Sequence, residues 1–428
     1  MMNKKILVFP CGSEIALEIH RSLAYAKEVS LWGASTRNDH GSFIYENYIE
    51  GIPHVSDPSF VEAITRCVRE EQVDYLFPAY DPVIFKLARA KHDGEFPCGL
   101  LTSPWAASQV CLSKKRTHDL FRDLVPMPRH YASPGQVECY PVWLKPEYGS
   151  GSKGACRANT LEDVRFHLEK DPSLAIFEYL PGKEYTVDCF TDRHRKLVFV
   201  GGRERERISD GISIRTYPVA DPQFQRMAQV INSTLPLRGA WFFQVKADDA
   251  GECKLMEIGP RISGSMGLYR NLGVNFALMS IYDAEGHDVA PLVNAYDLIY
   301  DRALYGRYRQ TGLAYQAVYT DLDDCLIVHG KLNMMLLTFL YQCVARRIRI
   351  VLLTRHAGDP RATLSRYRLE NLFDEVIHLT DRAQRKSDVV PADALFIDDS
   401  FGERQDVAQR LGIPVFSPDM VESLVAAY

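Results

Sequence analysis

The sequence predicts a multidomain chain of mixed α/β and α+β class, with a Rossmann-like opening section, an α+β middle and a smaller Rossmann-like closing section. Three observations predict it. Strand, turn and helix alternate from the first residues, hairpins and a glycine-rich loop replace that alternation in the middle, and it returns after a polar break at Gln310-Thr311-Gly312. At 428 residues the chain also exceeds what a single core fills.

The opening run Lys4 to Phe9 is short and apolar, and a Gly12-Ser13 turn then leads to Ile15, Ile19 and Leu23 at helical spacing. Val29 to Trp32 and Tyr75 to Phe77 read as further strands with "SFVEAITRCVREE" as a helix between them, the alternation of a helix-covered parallel sheet. The Gly12 turn lacks a full glycine fingerprint and reads as structural. From Val142 the runs Ala175 to Tyr179, Tyr185 to Phe190, Leu197 to Gly201 and Trp241 to Lys246 read as strands of a different domain. After the break come helix 332–346, strand 348–353, helix 361–372, strands 375–379 and 394–397, and helix 403–411. Domains are expected at 1–110, 111–312 and 313–428.

Composition narrows the partners. With 46% hydrophobic residues, 25% charged residues and a formal charge of −5, no basic excess exists to attract nucleic acid. No apolar run approaches the roughly 18–20 residues that span a bilayer, and the start "MMNKKILVFPCGSE" meets a polar turn too soon for a secretory signal, so a cytoplasmic location is expected. Ten scattered cysteines without paired spacing read as reduced thiols. The partners are expected to be small molecules, and a homo-oligomer is compatible with everything in the sequence.

The middle section carries a nucleotide pattern. In "VWLKPEYGSGSKG", Lys145 ends a strand just before Gly149, Ser150 and Gly151, where an ammonium and bare N–H groups can meet phosphate oxygens. The run ending in Glu178-Tyr179-Leu180 offers adenine backbone hydrogen bonds and apolar walls, and Glu184 can accept from ribose hydroxyls. The hairpin "WFFQVKADDAGECKLMEIGPR" faces Gln244 with Glu257, an oxygen pair suited to Mg²⁺, and Arg261 can neutralise a transferred phosphoryl group. Asp81, ending "YLFPAYD", reads equally as a substrate contact or as a cap.

In their order these motifs resemble the ATP-grasp superfamily over about residues 1–310, in particular the branch of carbamoyl phosphate synthetase halves and amino-acid ligases. The resemblance implies ATP with Mg²⁺ or Mn²⁺ as cofactors, and Lys114 or Lys115 of "CLSKKRTHDL" as a first ATP lysine, with Ser113 where an acid is usual. It implies Arg207, Gly211 and Ser213 of "RERERISDGISIRT" as the segment that binds an acyl phosphate or carboxylate. "EIGPR" keeps Glu257 and Arg261 of the family's metal motif but has Gly259 in place of the asparagine ligand. The implied reaction is attack of a carboxylate on the γ-phosphate of ATP, followed by amide formation as an amine displaces phosphate.

The closing section opens on "YTDLDDCL", three carboxylates directly after an apolar run. As i and i+2 of an extended exit, Asp321 and Asp323 would share one side, where only a cation offsets their repulsion. The pair suits a nucleophile and an acid, aided by a metal ion. Thr354 ends "IVLLT" with a hydroxyl, Lys386 supplies a positive charge, and Asp398 and Asp399 end "ALFIDD". This ordered set resembles the haloacid dehalogenase superfamily over Tyr315 to Tyr428. The resemblance implies a capless Rossmannoid phosphatase with Asp321 as nucleophile, Asp323 as acid/base, and Thr354 and Lys386 as phosphate ligands. Metal ligands would be Asp321, Asp323 and Asp398, with Asp399 in support, and Cys325 stands where Thr or Val is usual.

The leading reading is a bifunctional enzyme that joins a small-molecule carboxylate to an amine and removes a phosphate from a small molecule. The alternatives are a kinase or acyl-phosphate maker without an amine acceptor, and an ATP-binding protein with an inactive closing domain.

Overall fold

The computed structural model describes residues 4–149, 153–209, 211–303, 306, 308, 312–381 and 383–426; Ser150 and Gly151 of the glycine loop lie outside them. The chain divides into two compact units, Met1–Leu304 and Tyr305–Tyr428.

Unit 1 opens with a five-stranded parallel sheet in the order Asn47–Glu50, Val29–Ser35, Lys4–Phe9, Tyr75–Pro78, Gly99–Leu100. Side chains of its central strand alternate between two cores. Leu7 and Phe9 pack with Phe60, Ile64 and Leu87 of the covering helices Phe60–Glu70 and Asp81–His92. Ile6 and Val8 face the other way, into a core shared with Phe242, Met266, Tyr269 and Phe276. Those four come from the later part of unit 1, so this one core is shared across residue 110.

Two antiparallel sheets follow. One has four strands, ordered His130–Tyr131, Leu174–Glu178, Val142–Pro146, Cys156–Ala158. The other has six, ordered Cys253–Gly259, Gly239–Ala247, Glu184–Thr191, Leu197–Ser209, Ile212–Val219, Tyr300–Asp301. The helix Pro222–Thr234, started by the Asp221 cap, buries Phe224, Met227, Ala228 and Ile231 at helical spacing against the six-stranded sheet.

Unit 2 holds a five-stranded parallel sheet, ordered Glu375–His378, Arg349–Thr354, Ala317–Thr320, Ala394–Ile397, Val415–Phe416. Its three central strands are buried nearly throughout and read as continuous apolar runs, as strands covered on both faces do. The helix expected over 361–372 ends at Arg366, because Arg368 takes the left-handed conformation, with φ 58. Between Ala317–Thr320 and the helix Met334–Ala345 stands a small hairpin, Ile327–Val328 with Lys331–Leu332. No helix among the described residues is long and apolar enough to cross a membrane.

Candidate functional site

A cleft in unit 1 lies between its two antiparallel sheets, lined by Trp143, Lys145, Tyr179 and Leu180 on one side and Glu184, Gln244, Lys246, Met256 and Glu257 on the other. Lys145 stands next to last in its strand, with Nζ 4.3 Å from the centre of the Phe177 ring and 3.4 Å from the Met256 carbonyl. Burial, reinforced by the Lys114 cation, pulls its pKa down to about 8. Lys114 opens the helix Lys114–Phe121 and donates to the Gly149 carbonyl at 2.8 Å, and burial lowers its pKa as well. Lys115 is exposed, so Lys114 is the member of the pair at the cleft. The Ser113 hydroxyl at the start of that helix donates to Glu147 Oε1 at 2.7 Å.

The carboxylate of Glu178 accepts from Lys254 at 2.6 Å and from the Arg129 backbone at 3.0 Å, which leaves Tyr179 and Leu180 as the wall. Glu184 pairs with Arg205 at 2.7 Å.

Gln244 and Glu257 are direct partners across the hairpin. Among the described residues Glu257 forms no ion pair within 4.0 Å, although Lys114, Lys145, Arg205 and Arg261 all act on it or are acted on by it. Two oxygens beside several desolvated cations fit a hard divalent ion that keeps waters and shares phosphate oxygens. Gly259 offers no further ligand, because a Cβ built there would run into the Phe242 ring.

Beside the cleft, and sharing Lys114, Gly149, Lys153 and Glu257 with it, opens a chamber of about 680 Å³. Its walls include Tyr80, Asp81 and Phe85 from the carboxyl end of Tyr75–Pro78 and the helix that follows, and Phe242, Ile258 and Arg261 from the hairpin. Arg261 donates to both oxygens of Asp81, from Nε and, at 3.0 Å, from Nη2. Asp81 thus faces the chamber and orients the guanidinium.

Arg207 is not at the cleft. Arg205 stands opposite Thr216 while Arg207 stands opposite Arg215, so a bulge at Glu206 turns Arg207 to the other face. There its half-exposed side chain pairs with Asp301 at 2.8 Å. Arg205 is the buried one, held by Glu184 and by donation to the Gly211 carbonyl at 2.7 Å. Simple alternation along "RERER" puts all three arginines on one face and could not reveal the bulge. Gly211 has φ 74, and Ser213 is buried.

In unit 2, Asp321, Asp398 and Asp399 each present one oxygen within 4.8 Å of the others, at the carboxyl ends of two adjacent strands. Lys386 is buried among them, 3.1 Å from Asp321 and 2.6 Å from Asp398. Burial alone would lower its pKa, but the two carboxylates outweigh that and raise it. Burial pushes Asp398 up to about 6 and raises Asp399 too, so this charge cluster fits a divalent cation. Thr354, fully buried, ends the neighbouring strand, and its hydroxyl accepts from the His356 N–H at 3.1 Å.

Asp323 is a correction to the metal set. The strand stops at Thr320, and Asp321 is buried while Asp323 is exposed, so the two do not share one side as an extended exit would place them. Asp323 instead shares hydrogen bonds with Nδ1 of His356, the shorter 2.8 Å, and Nε2 of that ring lies 2.9 Å from Thr363 Oγ1. No sequence signal singled out His356. Cys325 is an apolar filler beside Thr320, fully buried and with its thiol pushed up to about 12 by burial.

Two antiparallel sheets gripping a lysine-lined cleft, preceded by a parallel sheet, define unit 1 as an ATP-grasp fold. A family model described as "ATP-grasp in the biosynthetic pathway with Ter operon" matches residues 170–300. Among solved structures, the biotin carboxylase domain of 2-oxoglutarate carboxylase from Hydrogenobacter thermophilus superposes with TM-score 0.57 at 17% identity, covering 68% of this chain and 71% of that one. An L-amino acid ligase from Bacillus licheniformis gives 0.52 at 15% identity, covering 68% and 76%. N5-carboxyaminoimidazole synthetase from Staphylococcus aureus gives 0.54 at 12%, covering 68% and 80%. No curated protein sequence matches the chain.

Proposed function

We propose that unit 1 is an ATP-dependent carbon–nitrogen ligase that activates a carboxylate as its acyl phosphate and passes it to an amine. The observation that carries this reading is the placement of buried Lys145 and half-buried Lys114 with the Gln244–Glu257 pair beside a chamber walled by Asp81 and Arg261. Lys145 and Lys114 would hold phosphate oxygens, Tyr179 and Leu180 the base, and Glu184 the ribose. Gln244 and Glu257 would hold Mg²⁺ or Mn²⁺, which when bound offsets phosphate charge. Arg261, fixed by Asp81, lies where the acyl group forms and stabilises the charge that develops there. Two structural neighbours, an amino acid ligase and a carboxyaminoimidazole synthetase, support the same reaction class.

Unit 2 on this reading is a phosphatase of the haloacid dehalogenase kind. Asp321 attacks phosphorus, forming an aspartyl phosphate as the ester P–O bond breaks. Asp323 gives its proton to the leaving oxygen and then takes one from the water that hydrolyses the aspartyl phosphate. Lys386 and Thr354 steady the phosphoryl oxygens, and Asp321, Asp398 and Asp399 would hold the cation.

An ADP-release screen of the full chain against acids and amines, with mass spectrometry of the product, tests the proposal. Amide formation abolished by Lys145→Met supports it, and ADP formation without any amide favours the kinase alternative. Phosphate release from a phosphorylated product that survives Asp321→Asn would remove the phosphatase reading.

A further inference from the structure

The chamber beside the nucleotide cleft is built for a particular kind of acid. Phe85 enters from the helix Asp81–His92 and is fixed edge-on against Trp105, ring centres 4.8 Å apart. Phe242 enters from the hairpin, and its ring fills the space that any side chain at position 259 would need. The Arg261 guanidinium lies 5.2 Å from the centre of that same ring, so the ionic end and the apolar wall are one continuous surface. Glycine at 259 is therefore matched to the aromatic ring: the hairpin position that would carry a polar ligand presents a flat apolar face. Fixed rings recognise ligands by area and shape, and a small polar acid would leave much of about 680 Å³ to water.

We infer that the carboxylate substrate carries an aromatic or branched apolar body, seated between Phe85 and Phe242, with its carboxylate toward Arg261. The inference rests on the ligase reading and names the substrate class of that site.

The test uses the intact protein with MgATP and a panel of acids matched in charge: phenylalanine and leucine against glycine and serine, and 3-phenylpropanoate against gluconate, each with and without an amine. ADP release is expected to be at least about tenfold greater in kcat/KM with the apolar acids, as apolar pockets discriminate by that much per small group. Phe85→Ala is expected to raise KM for the best acid by about tenfold while KM for ATP moves less than about twofold. Because that variant could unfold, the wild-type preference is read first, and a thermal shift by each acid in the presence of ADP reads binding directly. Equal or better turnover with small polar acids overturns the assignment and leaves the ligase reading standing. No acid-stimulated ADP release from any compound overturns both.

Discussion

Asp81 and Arg261, 180 residues apart in sequence, clasp each other at the edge of the chamber through both carboxylate oxygens. One residue comes from the parallel sheet and the other from the antiparallel hairpin, so the clasp fixes the two parts of the site together. Arg261→Lys keeps the charge and loses the planar fork. It is expected to lower kcat/KM for ADP release by about 10²-fold with little change in the Kd of ADP. Asp81→Asn, which strands a mostly buried guanidinium, is expected to cost about 2–3 kcal/mol of stability by chemical denaturation. An Asp81→Asn enzyme with unchanged stability and rate would show the clasp to be incidental.

The bulge at Glu206 separates two arginines that the sequence makes look alike. Arg207→Ala removes an exposed ion pair with Asp301 and is expected to shift stability by less than about 0.5 kcal/mol and leave ATP turnover unchanged. Arg205→Ala removes the buried cation that pairs with Glu184, a residue of the cleft lining, and is expected to weaken ADP binding by tenfold or more. Calorimetry on the two variants decides between them, and a larger effect at Arg207 would refute the assignment.

Much of this arrangement was legible in the sequence, and what was not has identifiable causes. Lys145, Gln244 and Glu257 could be placed because strand ends and hairpin partners follow from alternation over short distances. Glu147 beside Ser113, Asp81 with Arg261, and His356 with Asp323 are contacts across 34, 180 and 33 residues, and local periodicity carries no such information. The departures at Arg207 and Asp323 have different causes: a bulge at Glu206 turns Arg207 from the cleft, and the strand that would align Asp323 with Asp321 stops at Thr320.

Gly259 cannot simply be restored to a metal ligand. A side chain there collides with Phe242, itself buried in the core that joins the sheets. Gly259→Asn is therefore expected to destabilise unit 1 by about 1–3 kcal/mol, the range for overpacking, without raising the number of Mn²⁺ ions bound with nucleotide. Metal titration in the presence of ADP reads this, and an added equivalent of Mn²⁺ would contradict it.

Lys145 makes nucleotide binding pH-dependent in a predictable direction. Its pKa in the free protein is about 8, against 10.5 ordinarily, so between these values the unfolded chain binds the extra proton and the free protein gains stability as pH rises. Nucleotide affinity runs the opposite way. Phosphate oxygens favour the charged lysine, so the Kd of ADP is expected to increase up to about tenfold per pH unit above 8, with proton uptake on binding. Lys145→Met should bind weakly and with a flat profile from pH 7 to 9.5. A wild-type profile equally flat would show that Lys145 does not face the phosphates.

Lys386 is the sole lysine or arginine within ion-pair distance of Asp321 and Asp398 among the described residues, and that makes it the test of unit 2. Burial already holds Asp398 at about 6, so above that pH an ionised carboxylate is a standing cost that Lys386 offsets. Lys386→Met leaves both acids buried without it and is expected to cost about 3–5 kcal/mol at pH 7.5. The sign of the pH dependence follows. Lys386 lowers the pKa of Asp398, so in Lys386→Met that carboxyl titrates above about 6 and holds a proton the wild type has released, and the deficit shrinks as pH falls toward 6. Millimolar Mg²⁺ or Mn²⁺ should offset it in the same way, since a cation bound at a hundred times its Kd contributes about 2.7 kcal/mol. All four tryptophans lie in unit 1, so fluorescence does not report on this unit. Hydrogen exchange of Ala317–Thr320 and Ala394–Ile397 in the full chain does. Protection in Lys386→Met equal to wild type at pH 7.5 without metal would mean that the three aspartates are not held as a charged cluster.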